Sequence, residues 1–179
     1  ENIKDIDLSN IKIINKFIII YRNNRKAENI EKLLIFRKLC KLKRIGFYIS
    51  NNVKLAALTN ADGLYISSHN KNLNLLRLKR TSYNLIGSAH NIRELNIKVI
   101  QGCTSIVYSR LFKTLYNYKK GSLGIVKFNL LRRSRKEDLV PLGGINLLNL
   151  NKLKLVKSNA FAILSEVKKK PAKIFNRLF

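Results

Sequence analysis

The chain has 179 residues, 46% of them hydrophobic, and carries a formal net charge of +26 from 36 basic and 10 acidic side chains. This length and apolar content suit one domain with its own core, which we expect to span residues 1–179. Asp5 and Asp7 break the N-terminal segment and the apolar run 17–21 is short, so neither a signal peptide nor a membrane span is predicted. The sequence therefore indicates a cytoplasmic protein with no membrane partner.

The basic residues are spread over almost every segment. A dedicated nucleic-acid binder usually concentrates its charge in a patch, a tail or a recognition motif. The abundance of Lys, Asn and Ile is instead typical of a low-GC genome. We expect non-specific attraction to polyanions at low salt, but no specific nucleic-acid partner. Cys40 and Cys103 show no metal or redox spacing and are interpreted as reduced thiols.

Short apolar segments alternate with amphipathic ones along the chain. The first, KFIIIYR, is a continuous β-branched run of the kind that is buried on both faces of a parallel sheet. In chain order the predicted strands are residues 16–22, 45–50, 63–67, 84–90, 105–109, 139–144 and 160–165. The predicted helices are 27–44, 52–59, 73–79, 92 to the C-cap Gly102, 123–136, 147–157 and one starting near Pro171.

Repeated strand–helix units with right-handed crossovers give an α/β fold with a parallel sheet. A closed (β/α)₈ barrel has eight strands. The chain lacks Met and opens at Glu1, so we expect an incomplete barrel, truncated at its N-terminus, with seven of the eight strands present. An open or doubly wound seven-stranded sheet is the alternative.

Polar residues follow the predicted strands, where a barrel places its functional groups. The Gly143-Gly144 pair is the most specific of them, because glycine lets backbone N–H groups approach a phosphate and a following helix N-terminus adds positive charge. The same pair also suits a tight turn with no ligand. The candidate site residues at the strand ends are Arg22, Ser50, Asn51, Asn70, Ser88, His90, Gly143, Gly144 and Ser165. His69 is interpreted as a surface residue.

Four motifs in order resemble the thiamine-phosphate synthase and thiazole tautomerase superfamily. They are ADGLYIS (61–67), IGSAHN (86–91), LGGIN followed by Asn149 (142–149) and AFAILS (160–165). The resemblance runs from about Arg22 to Pro171. It implies a (β/α)₈ barrel whose first strand precedes residues 16–22, in agreement with the missing N-terminal piece.

The resemblance also implies a reaction that transfers a pyrimidine methylene group from its pyrophosphate to thiazole phosphate, with Mg²⁺ neutralising the leaving charge. Arg22 matches the arginine of the family's first motif, although Ile20 and Asn24 replace its glutamine and lysine. Asn51, in the pair Ser50-Asn51, and Asn70 stand where the family has carboxylates. An amide ligates Mg²⁺ without charge, so Mg²⁺ is a doubtful cofactor and the metal ligands are unknown.

Other positions match the family. Ser88 corresponds to the serine near the pyrophosphate. Lys119 or Lys120 falls in the loop that would meet that group, and a solvated basic loop is the alternative interpretation of this segment. Gly143, Gly144 and Ser165 correspond to the thiazole-phosphate site. The implied partners are therefore a phosphorylated thiazole and a phosphorylated pyrimidine; the oligomeric state is not indicated.

His90 supports a second hypothesis. In the tautomerase branch a histidine at this position is the acid/base for proton transfer on the thiazole, and that reaction requires no Mg²⁺ carboxylates. A third hypothesis is a non-catalytic protein whose basic surface binds acidic partners. The resemblance favours the two enzymes, and it favours the synthase as the family.

Overall fold

In this computed structural model, residue 8 and residues 16–22, 29–80, 83–114 and 121–164 are described. Their six parallel strands form one curled sheet in sequential order, with each strand paired to the next along the chain. The strands are β1 Ile18–Tyr21, β2 Gly46–Ser50, β3 Gly63–Ile66, β4 Asn84–Ala89, β5 Ser105–Ser109 and β6 Asp138–Leu142. The α/β class and the parallel sheet predicted from sequence are thus confirmed.

The predicted seventh strand does not form over the described residues. Only Ala162 pairs with β6, through one parallel bridge to Leu142 in which its N–H donates to Pro141 O at 2.9 Å. Just before it, the Ser158 hydroxyl donates to Leu139 O at 2.7 Å and Ala160 O at 2.8 Å, which holds the chain in a turn where the strand was expected to begin. Ser165 lies outside the described residues.

In the described part of the chain, four α-helices cover the outer side of the sheet: α1 Ile30–Leu42, α2 Val53–Leu58, α3 Ile92–Ile100 and α4 Gly124–Arg133. The helix predicted near Pro171 lies outside the described residues. Three of them start at an asparagine whose side-chain oxygen accepts an N–H of the first turn; these residues are Asn29, Asn52 and Asn91. Gly102 adopts a left-handed φ of 82° just beyond α3, as expected for a C-cap.

Two segments predicted as α-helices are 3₁₀ helices instead, at Leu73–Arg80 and Leu150–Leu155. In the second, the Lys152 N–H donates to Asn149 O at 3.0 Å, and the Val156 N–H to Leu153 O at 2.9 Å, which is the three-residue spacing of a 3₁₀ helix. Within the described residues, no helix is long and apolar enough to span a membrane.

The sheet separates two apolar layers because side chains alternate between its faces. On the helix side, Phe47, Leu64 and Ile106 belong to the main core, which α1, α3 and α4 cover. A smaller cluster fills the inner, concave face, and its buried members are Tyr48, Tyr65, Ile86 and Val107. The positions two residues further along these strands therefore also face inward, at the carboxyl end of the sheet.

Both cysteines belong to the helix-side core and form no disulfide. Burial raises the pKa of the Cys103 thiol to about 12 and that of Cys40 to about 11. A protonated, buried thiol is a poor nucleophile and a poor metal ligand. The two residues therefore serve as packing groups of this core.

Candidate functional site

The carboxyl ends of the six strands meet along one edge of the curled sheet, here called the rim. The predicted site residues that lie on the rim are Arg22, Ser50, Asn51, Asn70, Ser88, His90, Gly143 and Gly144. Lys119 and Ser165 lie outside the described residues. Neighbouring strands are about 4.8 Å apart, so His90 after β4 and Gly143 after β6 are separated by roughly 10 Å. One heterocyclic phosphate can span that distance.

A row of serines faces inward just below the rim. Ser50 and Ser88 follow the inward-facing Tyr48 and Ile86 by two residues, and Ser67 and Ser109 follow Tyr65 and Val107 in the same way. Ser67 and Ser88 are both 8% exposed. Four adjacent strands therefore each contribute a hydroxyl. Ser67 and Ser109 also lie at the ends of predicted strands, but the sequence predicted no role in the site for either of them.

Arg22 reaches over this inner face from the end of β1. Its guanidinium carbon lies 5.7 Å from the ring centroid of Tyr65, a buried side chain on β3. This cation–π contact holds the positive charge above the apolar floor of the site. A phosphate entering the rim would meet this cation next to the serine row.

The Gly143-Gly144 turn has the geometry of an anion cradle. Both residues have left-handed φ values, 98° and 69°. A Cβ on Gly143 would lie 2.8 Å from the Arg110 side chain, and one on Gly144 would lie 2.5 Å from Lys113 O. Over the described residues, no hydrogen bond uses the N–H of Gly144 or of Ile145. These two donors remain for a ligand.

The loop after β5 and Asn149 fix the conformation of this turn. The Leu111 N–H donates to Leu142 O at 2.9 Å, and the Phe112 N–H donates to Gly143 O at 3.0 Å. On the other side, Asn149 Nδ2 donates to Gly144 O at 2.7 Å. The expected helix N-terminus after the glycines is absent, because the 3₁₀ helix starts only at Leu150 and Asn149 bonds back to the turn instead of capping it.

His90 is held by Glu94, a residue that sequence reasoning missed. His90 Nδ1 lies 3.0 Å from Glu94 Oε2, and the His90 N–H donates to the same oxygen at 2.7 Å. Asn91 caps α3 by accepting the Glu94 N–H at 2.9 Å and donates to Glu94 Oε1 at 3.0 Å. The imidazole is 50% exposed, and Nε2 is the ring nitrogen left for a ligand.

Burial alone would raise the pKa of Glu94, but the hydrogen bonds from the His90 backbone and ring outweigh it and lower the pKa below its ordinary value of 4.5. A carboxyl with a lowered folded pKa stabilises the fold above its ordinary value, and that stabilisation is lost as the pH falls through the folded value. The hydrogen bonds that the Glu94 side chain accepts therefore stabilise the fold when its carboxyl group is ionised.

We expect Glu94→Ala to lower the free energy of unfolding by about 1 kcal/mol at pH 7, because it removes the carboxylate that accepts hydrogen bonds from the His90 N–H and Asn91 Nδ2. Urea titrations at pH 7 and pH 3 check this, and the deficit should shrink at pH 3. Glu31→Ala, in the exposed first turn of α1, is the matched control and should change stability by less than about 0.5 kcal/mol. A deficit that is equal at both pH values would contradict this role.

Asn51 and Asn70 lie together but do not fit a divalent cation. Asn51 Oδ1 already accepts the Ser67 N–H at 3.0 Å and Asn70 Nδ2 at 3.1 Å, while Asn51 Nδ2 donates to Ser67 Oγ at 2.9 Å. Asn70 Oδ1 accepts the Asn72 N–H at 3.0 Å. No cluster of three His, Cys, Asp or Glu side chains suited to a metal occurs in the described part of the chain. The Mg²⁺ that the family resemblance implies would therefore find no carboxylate at Asn51 or Asn70.

Comparison with known proteins supports the resemblance. A family model described as thiamine monophosphate synthase matches residues 12–167. A thiamine-phosphate synthase of Prochlorococcus marinus subsp. pastoris is 28% identical over 166 residues, which are 92% of this chain and 46% of that protein. One of Pelagibacter ubique is 28% identical over 145 residues, 78% of this chain and 69% of that protein. The chain thus spans about half the length of the Prochlorococcus relative.

The fold matches solved structures. A structure titled thiamine phosphate pyrophosphorylase from Pyrococcus furiosus superposes with a TM-score of 0.67 at 17% identity, covering 90% of this chain and 83% of that one. A 3-keto-L-gulonate-6-phosphate decarboxylase of Vibrio cholerae gives 0.55 at 12% identity, covering 84% and 78%. At these identities the likeness concerns the fold alone.

Proposed function

The chain belongs to the thiamine monophosphate synthase family, and from that premise we propose that it acts in thiamine biosynthesis as a transferase. The reaction moves a pyrimidine methylene group from its pyrophosphate to thiazole phosphate. The substrates are those of the family that the chain resembles, and the residue roles follow from the positions of the residues on the rim.

One observation carries the proposal: the N–H groups of Gly144 and Ile145, which have no acceptor among the described residues, lie on the same rim as Arg22 and His90. Consecutive backbone donors beside a left-handed residue can bind phosphate oxygens without a charged side chain. The thiazole phosphate would bind there, with its ring directed over the inner face. The pyrimidine pyrophosphate would then lie on the β1 to β4 side, beside Arg22 and Ser88.

In the transfer, the bond from the pyrimidine methylene carbon to the pyrophosphate oxygen breaks, and the oxygen leaves with the electron pair. The thiazole nitrogen lone pair forms the new carbon–nitrogen bond, so thiamine phosphate and pyrophosphate are the products. Stabilising the leaving charge is the main requirement of such a step. Arg22, the Ser88 hydroxyl and Lys119 are the proposed groups for it.

His90 would act at the middle of the rim as a hydrogen-bonding or proton-transfer group whose orientation Glu94 fixes. The same pair would serve the isomerase hypothesis. The named relatives are synthases, however, and favour the transferase. An unmodified chain that shows no transfer, but exchanges a proton on the thiazole and loses this exchange in His90→Ala, would reverse this preference.

The test is synthesis of thiamine phosphate from the two purified substrates, followed by chromatography. We expect product from the unmodified chain, and a rate roughly 100-fold lower for Arg22→Leu, because one charged donor to the leaving group is removed. Arg133→Leu, an exposed arginine on α4, is the matched control and should keep its rate. No product, or equal rates for Arg22→Leu and the unmodified chain, would contradict the proposal.

A further inference from the structure

Two loops of the rim are joined by amide and hydroxyl groups where a metal site would use carboxylates. Asn51 directly follows β2, and the loop 67–72 follows β3. Asn51, Ser67 and Asn70 form the amide cluster that links them. An amide oxygen has two lone pairs, and both on Asn51 Oδ1 are engaged within the cluster. Asn51 also has a left-handed φ of 57°, a conformation that asparagine tolerates well.

A second pair of residues holds the same loop from the helix side. Lys98 Nζ donates to Asn70 O at 2.6 Å and to Gln101 Oε1 at 2.8 Å. Gln101 Nε2 donates to Asn70 O and to Asn72 O, both at 3.0 Å. Lys98 and Gln101 are fully buried, each 0% exposed. The loop is therefore held on both sides by hydrogen bonds alone.

The buried ammonium also opposes a metal at this place. Its acceptors Asn70 O and Gln101 Oε1 are neutral oxygens, so they do not neutralise its charge. A divalent cation bound to Asn70 would lie within a few ångströms of this like charge, and repulsion is strong where the surroundings are poorly polarisable. Burial lowers the pKa of Lys98 from its ordinary value of 10.5, in keeping with the low polarity of its site.

We propose that the rim of this protein binds its ligand without a divalent cation. The amide cluster, together with Lys98 and Gln101, positions loop 67–72 in place of a metal ion. The proposal rests on the proposed function only in taking the rim as the ligand site. The charge on bound phosphate is then met by the chain's own basic groups.

Titration of the full chain with Mn²⁺, followed by electron paramagnetic resonance and with no substrate present, tests this. We expect no saturable binding to the unmodified chain in the low-millimolar range. Asn51→Asp/Asn70→Asp restores two carboxylates and should bind Mn²⁺ at least about tenfold more tightly. Asn96→Asp/Asn159→Asp adds the same charge at two exposed positions away from the rim and should bind no better than the unmodified chain.

Saturable Mn²⁺ binding to the unmodified chain that Asn51→Ala abolishes would overturn the proposal. So would an Asn51→Asp/Asn70→Asp variant that folds, by circular dichroism, yet gains nothing over its control. Because substrates are absent, either result is independent of whether the transfer reaction occurs.

Discussion

Gly144→Ala should lower the free energy of unfolding by about 3 kcal/mol and abolish binding of thiazole phosphate. A Cβ here would lie 2.5 Å from Lys113 O and 2.6 Å from Phe112 O, which are backbone atoms that cannot rotate away. A left-handed φ costs a non-glycine residue roughly 1–2 kcal/mol, and overpacking adds about 1–3 kcal/mol. Urea denaturation gives the stability, and calorimetry gives the affinity.

Gly124→Ala separates the cost of the left-handed φ from the cost of the close backbone contacts. Gly124 has a φ of 73°, close to the 69° of Gly144, but no atom of the described residues lies within 4 Å of its added Cβ. We expect a cost of about 1 kcal/mol and unchanged ligand binding. Equal destabilisation by the two variants would show that the backbone contacts at Gly144 are not as tight as described.

Asn149→Ala provides a milder change at the same turn if Gly144→Ala fails to fold. It removes the 2.7 Å hydrogen bond from Asn149 Nδ2 to Gly144 O and leaves the glycines in place. We expect about 1 kcal/mol less stability. The thiazole-phosphate affinity should fall about tenfold, equivalent to about 1.4 kcal/mol.

Gln101→Leu should also cost about 3 kcal/mol, more than replacing its lysine partner. It deprives the buried Lys98 ammonium of one acceptor and leaves Asn72 O without its 3.0 Å hydrogen bond. Hydrogen bonds to charged groups contribute about 1.5–3 kcal/mol, and an unsatisfied buried group costs about 1–3 kcal/mol. Thermal and urea unfolding measure this loss.

Lys98→Met removes the charge together with its hydrogen bonds, so the saved desolvation cost offsets part of the loss. We expect about 2 kcal/mol, because Asn70 O keeps Gln101 Nε2 as a donor. Lys154→Met, at an exposed position, should stay within about 0.5 kcal/mol of the unmodified chain. If Lys98→Met cost more than Gln101→Leu, the ammonium rather than the amide would be the principal support of the loop.

The sheet was predictable because its strands are short β-branched or aromatic runs bounded by polar residues. KFIIIYR predicted β1, and five further runs predicted the rest to within one or two residues at most ends. The 3₁₀ helices were not predictable, since periods of 3.0 and 3.6 residues differ little over six to eight positions. Over the described residues the seventh predicted strand is present only as the Ala162 bridge to Leu142, and no sequence pattern indicates the Ser158 hydrogen bonds that precede it.

The sequence predicted the site residues that directly follow a strand. It did not predict the residues that hold them in place through hydrogen bonds. Lys98 lies three residues after the buried Leu95, on the apolar face of α3, yet a lysine in a basic chain suggests exposure. Glu94 carried a clearer signal, because Asn91 and Glu94 have the spacing of a capping box and His90 precedes them. The direction of the Gly144 N–H depends on left-handed φ values. A glycine in the sequence allows such values but does not specify them.

Isothermal calorimetry of the unmodified chain with thiazole phosphate, in the presence and absence of EDTA, shows whether the glycine turn holds the phosphate without a metal ion. If the N–H groups of the glycine turn hold the phosphate, we expect one bound equivalent and the same affinity with and without EDTA. Binding should be lost in Gly144→Ala but kept in Gly124→Ala. No binding, or binding that both glycine variants retain, would contradict the account.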